Sequence, residues 1–569
     1  MKLIKFSPLK RWGALALLPC ISLTTVWAQP NDAGAILQKI ERDLQIKPGG
    51  ATTGNVRVEK SQQEAVDALR VTVSQFKITG AKLIALDKLQ EHLRPYLGKA
   101  LTFKELNAAA QTLLDLYKLQ GIAARIILPP QDIVGGVVEI QVIEGHLGGV
   151  LIQPVEGMVA PMDEPDFLGY LTERQKVGEP LSQADVERAL LILNDLAGVQ
   201  AAGALEPGDK PGETRLVVRV SDLPTVTGSV GVSNTGGRAT GAGQGLATLN
   251  WNNPSRIGDQ WSLAAMGSQG VRYGKIAYTL PVSYDGWKLG VNASHMTYDT
   301  IPPMNSSQAN GRAATIGWSS AYPIIRSQLT NLTHVLTFDQ KDAWNYINVD
   351  QESSTKRMNV VSTGFTGSYL SDVLGGVIPA YSVMLTYGKL YLHTPSEAAN
   401  DLDGPKTQGS YSKVMANVQW QKDFTSESAL AIALAGQWAR KNLDAGERMY
   451  LGGPSAVRAF PSAEVGGDQG WMANFEWRQL VHPDVQMVAF YDIGRVQQHK
   501  TIYSDMTTNN WVGLQGYGLG ANYLKDGWVG KAIVAWRANQ NPLADSTTGM
   551  DGDGTKRVPR IWLQLSKNF

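Results

Sequence analysis

The sequence has little cysteine, few histidines and almost no net charge, and each shortage excludes a class of function. Cys20 is the only cysteine among 569 residues. It lies in an N-terminal segment with the features of a removable leader, so we expect no disulfide, cysteine nucleophile or thiolate metal site in the mature chain. The net charge of +1 argues against nucleic acid as a partner, because nucleic-acid binding requires a strong basic excess.

Motifs for catalysis and cofactor binding are also missing. The seven histidines are dispersed, with no pair at i, i+4 spacing. The segments GAGQG and GYGLG lack the strand-to-helix setting of a phosphate loop, and no Walker motif occurs. The segment DGDGTK at Asp551 begins like a calcium loop without the later acidic ligand, so we expect a solvated external loop. The sequence predicts no enzyme, no cofactor and no metal site.

Residues 1–28 have the pattern of a signal peptide. A basic start is followed by an apolar stretch and by a cleavage signature at Val26 and Ala28. The alternative is a lipoprotein signal ending at Cys20, although Pro19 fits a small-residue cleavage site poorly. After residue 28, no stretch approaches the roughly 18 apolar residues of a membrane-spanning helix, which excludes an inner-membrane protein.

Two neighbouring segments, WMANFEWRQL and VQMVAFYDIG, alternate apolar and polar residues with a period of two. Trp471 and Trp477 fall on the apolar face of the first, whereas Glu476 and Arg478 fall on the other face, as Asp492 does in the second. This period predicts β-strands. A soluble sandwich would bury the apolar face in a dry core, whereas a membrane barrel turns it to lipid and directs the charges into a wet lumen.

The same alternation recurs after residue 224 and predicts sixteen strands. They are 225–235, 241–251, 260–268, 271–280, 287–298, 312–321, 329–338, 356–369, 377–390, 411–424, 430–441, 471–480, 485–494, 514–525, 528–537 and 560–569. An even number of strands, joined by connections that alternate between short and long, is typical of bacterial outer-membrane barrels. Of the 15 tryptophans, 13 follow residue 224, where they would mark the membrane interfaces.

Residues 73–223 contain an internal repeat, because Gly178 follows Gly98 by 80 residues at the start of similar segments. In each copy a helix follows, with an N-cap at Thr102 or Ser182. Each copy is predicted to have the order strand, helix, helix, strand, strand.

Residues 31–44 are predicted to form an amphipathic helix, with Asp32 as its cap. An apolar stripe is formed by Ile36, Leu37, Ile40 and Leu44. A polar linker is predicted to follow. The stripe suits a helix that packs on the next domain as well as one that inserts elsewhere.

Several motifs resemble those of the TpsB family, the outer-membrane translocators of two-partner secretion. The loop LGGPSAVRAF and the later FYDIG resemble its paired VRG(Y/F) and FxDxG motifs, although Ala459 stands where the family usually has glycine. The residues concerned are Val457, Arg458, Ala459, Phe460, Phe490, Asp492 and Gly494. LNWNNPSRIGDQWSL and YTLPVSYDGWKLGV resemble turns of TpsB barrels, and IWLQLSKNF, with Leu565 and Phe569, resembles a C-terminal insertion signal.

The resemblance implies a membrane β-barrel of 16 antiparallel strands, preceded by an N-terminal plug helix and two α+β POTRA-like periplasmic domains. The implied units are the signal peptide 1–28, plug helix 29–46, linker 47–72, POTRA-like domains 73–147 and 148–223, and barrel 224–569, with a lumen-inserted loop at about 442–470. Within that loop, we expect Arg458 to pair with Asp492 on the barrel wall, with Glu476 as the rival partner. The alternative is an external loop with a solvated Arg458.

The implied function is secretion of one large, β-rich, TpsA-like exoprotein across the outer membrane of a Gram-negative bacterium without ATP. The exoprotein would bind through its N-terminal secretion domain to a strand edge at Ala201, Ala202 and Leu205. The alternative is a protected edge on two structural spacers. Other implied partners are outer-membrane lipid and the barrel-assembly machinery. A barrel-assembly factor and a passive porin or receptor remain alternatives, and the cargo could be a haemolysin, an adhesin or a contact-dependent inhibition toxin.

Overall fold

The structure, a computed structural model, describes residues 32–43, 70–210, 212–304, 308–348, 352–503 and 510–569. The predicted signal peptide, the predicted linker as far as residue 69, and Leu44 lie outside these residues. The first element, helix α1, spans Ala33–Asp43. Its Ala35 amide donates to the Asp32 carboxylate at 3.0 Å, which is a helix-capping contact.

The first α+β unit begins slightly before its predicted start. Its elements are β1 (Arg70–Thr72), β2 (Gln75–Thr79), α2 (Leu86–Leu93), β3 (Ala100–Thr102), α3 (Phe103–Leu119), β4 (Ala124–Ile127) and β5 (Val137–Glu144). Strand β1 occupies the end of the predicted linker because it pairs with β3. The N-cap of α3 is Thr102, as predicted, and Glu105 completes a capping box.

The second unit repeats the order strand, helix, helix, strand, strand, as predicted. Its elements are β6 (His146–Pro154), α4 (Glu164–Thr172), α5 (Gln183–Asn194), β7 (Val199–Pro207) and β8 (Glu213–Asp222). The predicted N-cap Ser182 accepts the Asp185 amide of α5. The strand order is β6, β8, β7, so β7 lies at an edge.

Sixteen antiparallel strands close into a barrel, which confirms the predicted architecture. Eleven precede the inserted loop: β9 (Val226–Ser233), β10 (Gln244–Asn252), β11 (Gln260–Ser268), β12 (Val271–Pro281), β13 (Lys288–Asp299), β14 (Ala309–Arg326), β15 (Thr330–Ile347), β16 (Glu352–Val373), β17 (Gly376–Leu392), β18 (Gly409–Asp423) and β19 (Ser428–Ala439). Within the loop, β20 (Met449–Leu451) pairs with β21 (Val465–Gly467). Five strands follow: β22 (Gln469–His482), β23 (Val485–Gln497), β24 (Trp511–Lys525), β25 (Trp528–Arg537) and β26 (Arg560–Asn568).

Strands β15 and β16 extend well beyond their predicted ends. Strand β15, predicted to end at residue 338, continues to Ile347, and β16 has 22 residues. Beyond the membrane the outer face of a strand meets water, so apolar and polar residues no longer alternate. The backbone hydrogen bonds between strands nevertheless continue. A further helix, α6 (Pro395–Asp403), lies in the connection after β17 and was not predicted. In the described residues, no helix is both long and apolar enough to span a bilayer.

The two faces of the barrel wall follow the predicted alternation. On β22, Trp471 and Trp477 are exposed outward, whereas Glu476 and Arg478 are buried. On β23, Asp492 is fully buried. The charged face therefore points inward, as expected for a membrane barrel.

The prediction of a solvated loop at the DGDGTK segment was wrong. Asp551 is buried and pairs with Arg537 and with Arg560, the latter at 2.7 Å. Asp553 also contacts Arg560, at 2.9 Å. The sequence concealed this arrangement because the two arginines come from separate strands, β25 and β26.

Candidate functional site in the barrel lumen

Residues 440–468, between β19 and β22, fold back into the barrel instead of extending outward. A short helical turn at Ala445–Glu447 and the β20–β21 hairpin give this inserted loop its shape, and most of its side chains are buried. Gly452 turns the chain at the tip with φ +97°, and a Cβ there would lie 2.3 Å from the Pro461 carbonyl oxygen. Only glycine fits that position.

The tip of the inserted loop packs against the inner wall on one side of the barrel. Val457, Ala459 and Phe460 are buried at the tip. They share one apolar cluster with inward-facing residues of β22 to β26, among them Met472, Phe490, Val512, Leu514, Ile533, Ala535 and Trp562. The predicted motif residues therefore come together in the lumen.

Arg458 binds both carboxylates that the sequence offered as rivals. Its Nε and Nη2 donate to the two Asp492 oxygens at 2.8 and 2.6 Å, and Nη1 donates to Glu476 Oε1 at 2.6 Å. The guanidinium carbon lies 3.5 Å from the centroid of the Phe490 ring. Only 4% of the side chain is exposed. Two carboxylates and a ring face thus hold a buried cation in a fixed orientation.

Further side chains hold this ion-pair cluster in place. Asn474 donates to Asp492 at 2.8 Å and to the Ala456 carbonyl at 2.9 Å. Arg478 donates to the second oxygen of Glu476 at 2.7 Å. The Trp562 indole donates to the Arg458 carbonyl at 2.8 Å, which ties the loop to the last strand.

Glycines on the wall make room for the inserted loop. A Cβ at Gly494 would lie 2.7 Å from a Leu451 methyl carbon, and a Cβ at Gly516 would lie 2.5 Å from the Ala459 Cβ. Ala459 does not have a positive φ. The backbone at this position therefore does not require the glycine usual in TpsB proteins, and Gly516 accommodates the methyl group.

Helix α1 lies inside the barrel on the opposite side of the lumen. Leu37 and Ile40 are buried, and Ile36 packs beside them. Their apolar cluster includes the inward-facing wall residues Met266, Val271, Tyr273, Met296, Tyr298, Ala313 and Ala343. The stripe therefore packs on the wall of the lumen and not on a periplasmic domain.

Lys356 of β16 joins the helix to the inserted loop. Its Nζ lies 2.6 Å from Asp32 and 2.8 Å from Asp444, and the side chain is almost fully buried. The two backbones also approach closely, since a Cβ at Gly34 would lie 3.8 Å from the Gly446 Cα. One lysine thus pairs with a carboxylate of each inserted segment.

A second buried cluster holds the same turn of the inserted loop. The Glu447 carboxylate pairs with the Nζ atoms of Lys341 on β15 and Lys413 on β18, each at 2.8 Å. With Lys356, three wall lysines face three carboxylates, those of Asp32, Asp444 and Glu447. Removing α1 would withdraw Asp32 and leave Asp444 as the ion-pair partner of Lys356.

The second α+β unit is fastened to the short turns at one end of the barrel. Arg174 donates twice to Asp285, both at 2.8 Å, and Arg188 reaches the same carboxylate at 3.1 Å. Burial would raise the pKa of Asp285, but hydrogen bonds from Arg174 and Tyr322 hold it below the ordinary value of 3.8. Arg326 adds a two-point contact with Asp195, at 2.7 Å for both oxygens.

The predicted binding edge at β7 is partly occupied. Asn194 of α5 accepts the Ala201 amide at 2.9 Å and donates to the Ala201 carbonyl at 2.8 Å. Alternate residues of an antiparallel strand direct their backbone groups to the same side, so Ala202 bonds toward β8. By the same alternation, the backbone groups of Gly203 and Leu205 face the open edge.

At the C-terminus, Leu565 and Phe569 both face outward and are exposed. The Phe569 carbonyl accepts the Gly228 amide of β9 at 3.0 Å, next to the β26–β9 pairing that closes the barrel.

Comparison with known proteins agrees with this architecture. A model for the haemolysin secretion/activation protein ShlB/FhaC/HecB matches residues 212–523, and one for the ShlB-type POTRA domain matches residues 71–145. The chain belongs to the ShlB/FhaC/HecB family. It is an outer-membrane transporter of the TpsB type with periplasmic POTRA domains, and it secretes a partner protein.

Relatives of this TpsB protein match it over most of their length. The heme/hemopexin transporter protein HuxB of Haemophilus influenzae is 24% identical over 552 residues, covering 95% of each chain. The outer membrane transporter CdiB of Escherichia coli is 25% identical over 500 residues, covering 82% of this chain and 81% of CdiB. A solved structure of CdiB from Escherichia coli superimposes with a TM-score of 0.71 at 21% identity, over 96% of this chain and all of that chain.

Several residues of the site were missed by the sequence analysis. Lys356, Lys413 and Asn474 all occupy inward positions of strands. Their inward placement follows from the alternation, and a charged or amide residue there is a signal that could have been used. Their partners could not be read in this way, because Asp444 and Glu447 lie on a loop without periodicity.

Proposed function

We propose that the protein captures one large, β-rich exoprotein through the N-terminal secretion domain of that partner, releases α1 from the lumen, and passes the unfolded partner through the barrel without ATP. The observation that carries this proposal is the Lys356 contact, in which a wall residue holds both the helix and the inserted loop. The Lys356–Asp32 ion pair can break and form again, so α1 can leave the lumen without the cleavage of a covalent bond.

The inserted loop is proposed to stay in place while α1 leaves. Its tip has three hydrogen bonds between the Arg458 side chain and two wall carboxylates. Helix α1 has an ion pair at Asp32, hydrogen bonds to Asn345, Thr235 and Ser294, and a short apolar stripe that packs on the wall. The helix is the segment proposed to leave because the loop continues into a wall strand at each end, β19 and β22, whereas 26 residues, 44–69, separate α1 from the first α+β unit.

Capture is proposed to take place on the second POTRA unit, residues 148–223, by addition of a strand to β7. Leu205 is the residue best suited to this contact because its amide faces the open edge and Asn194 does not cover it. Strand addition supplies affinity from backbone hydrogen bonds, so it suits a β-rich cargo of any sequence.

A proline at Leu205 tests capture, because it removes the amide that would bond to cargo. We expect Leu205→Pro to lower secretion of the partner by about tenfold at unchanged barrel levels in the outer membrane. The matched control is Leu205→Ala, which also shortens the side chain but keeps the amide. Equal secretion by the two variants would rule out strand addition at this residue.

The exposed C-terminal residues Leu565 and Phe569 are proposed to serve the barrel-assembly machinery during insertion. Outward folding of the partner is proposed to give transport its direction. The relatives include a heme/hemopexin transporter and a haemolysin transporter, which differ in cargo. A neighbouring gene for a large secreted protein would identify the cargo of this chain.

A further inference from the structure

Basic side chains project from the outer wall of the barrel at the ends of the strands that lie away from the POTRA units. They are Arg312 of β14, Arg357 of β16, Lys389 of β17, Arg440 just after β19, and Arg495 of β23, and all are exposed. Each lies an even number of residues from exposed apolar side chains of the same wall. These five residues, here called the basic belt, therefore share the lipid-facing side of the barrel.

The residues of the basic belt lie at similar heights. Lys389 pairs with Asn359, and Arg357 is two residues further toward the outer end of β16. Arg357 aligns across β15 with Ala314, and Arg312 is again two residues further out. Because barrel strands tilt by about 35–45°, residues at one height are offset along successive strands in this manner. These three residues therefore lie at one height on the outer wall of the barrel.

Aromatic rings mark the membrane interface beside the belt. Arg312 lies 4.6 Å from the centroid of Trp344, and Arg495 lies 5.2 Å from that of Trp511. Lys389 lies 5.0 Å from the ring of Tyr391. Outward-facing aromatics form girdles at the headgroup level of membrane barrels, so the basic belt lies at that level.

Protein carboxylates compensate the belt only in part. Arg357 pairs with Asp342 at 2.6 Å. Within the described ranges, Arg312, Lys389, Arg440 and Arg495 have no carboxylate within ion-pair distance. At headgroup level, four cations thus face the membrane without an ion-pair partner among the described residues.

We propose that the basic belt binds the phosphate groups of lipopolysaccharide in the outer leaflet. The POTRA contacts at Asp285 and Asp195 fix the opposite end of the barrel in the periplasm, so the belt faces the leaflet in which this phosphorylated glycolipid is found. Guanidinium groups bind phosphate oxygens with two parallel hydrogen bonds. Basic residues beside a headgroup layer gain from its negative charge.

Binding of purified lipid A to the whole protein in detergent micelles tests this site. Two substitutions, Arg312→Gln and Arg495→Gln, remove two belt cations that lie over rings. The matched control is Lys422→Gln with Lys567→Gln, since these lysines also lie over rings, Phe424 and Trp528, at the periplasmic end. We expect the belt pair to weaken binding of bisphosphorylated lipid A by at least about tenfold and the control pair to leave it unchanged.

Two further measurements keep the result interpretable. Heat-modifiable gel mobility verifies that each variant is a folded barrel. The variant with Arg312→Lys and Arg495→Lys is expected to retain most of the lipid A binding, because the charges remain. Dephosphorylated lipid A should bind the unaltered protein as weakly as the belt variant binds the phosphorylated form. Equal affinity for both forms of lipid A, or an equal loss in the belt and control pairs, would overturn the proposal.

Discussion

Arg458 is the side chain through which the inserted loop is anchored to the wall. It is buried, and it pairs with Asp492 and shares Glu476 with Arg478. Truncation of one partner of such a group costs more than the pair itself contributes, because a buried charge is left without compensation.

Arg458→Ala is therefore expected to destabilise the loop by about 3–5 kcal/mol and to reduce partner secretion strongly, while the barrel still inserts. The measurement is the amount of partner in the medium at equal barrel levels. The control is Arg215→Ala, which breaks an exposed pair with Asp209 and is expected to change stability by about 0–1 kcal/mol.

The double variant Arg458→Ala with Asp492→Ala should be little worse than either single one, because the two residues act as one unit. Additive losses in secretion would show that they act separately.

Pairing of Arg458 with Asp492 could be predicted from sequence, whereas pairing of Lys356 with Asp32 and Asp444 could not. The first pair lies in two recognisable motifs, and the strand period places Asp492 on the inner face. The period gives the face of Lys356 but not its partner, and loop conformation, on which Asp444 depends, leaves no periodic signal. For the same reason the sequence presents Glu476 as a rival of Asp492, although a guanidinium has donors for both.

Among the elements, α5 has two roles that the sequence pattern did not separate. Its apolar face was predicted from helical spacing and packs in the core of the second POTRA unit. Its polar residues contact other elements: Arg188 reaches the barrel turn at Asp285, and Asn194 covers part of β7. Helical periodicity predicts the buried face, but it does not say what an exposed polar residue touches.

The contact at Asp285 predicts a pH dependence for the docking of this POTRA unit. Since the folded-state pKa lies below the ordinary value of 3.8, its stabilising contribution is complete above that value and is lost only as the pH falls through the lower folded-state pKa. Docking should therefore be constant from pH 7 to about 4 and weaken below that range.

Asp285→Asn should loosen docking at pH 7 and remove most of the acid transition. Spin labels at Asp209→Cys and Asp526→Cys would report this as a broader distance distribution. The control is Asp163→Asn, which changes an exposed carboxylate at the same interface. An acid transition unchanged in Asp285→Asn would assign it to another group.

In the molecule taken whole, α1 and the inserted loop fill the lumen from opposite sides. The barrel and its strand number could be predicted because every strand repeats the same signal. The position of α1 could not be derived from its stripe, which would suit a POTRA surface equally well, and only the family resemblance favoured the lumen.

Deletion of residues 32–43 should raise single-channel conductance in planar bilayers, because it removes the helix from the lumen and leaves the inserted loop anchored. Asp32→Asn, which keeps the helix but weakens its contact with Lys356, should produce intermittent openings. Unaltered conductance after the deletion would mean that α1 does not limit ion flow.

The most direct test locks α1 in the lumen. Gly34→Cys and Gly446→Cys place two thiols within reach of a disulfide, since a Cβ at Gly34 lies 3.8 Å from the Gly446 Cα. Cys20, in the predicted signal peptide, is the only native cysteine, so competing disulfides are not expected. We predict that the oxidised variant inserts normally but secretes no partner, and that a reductant restores secretion. Normal secretion by the fully oxidised variant would contradict the claim that α1 must leave the lumen for transport.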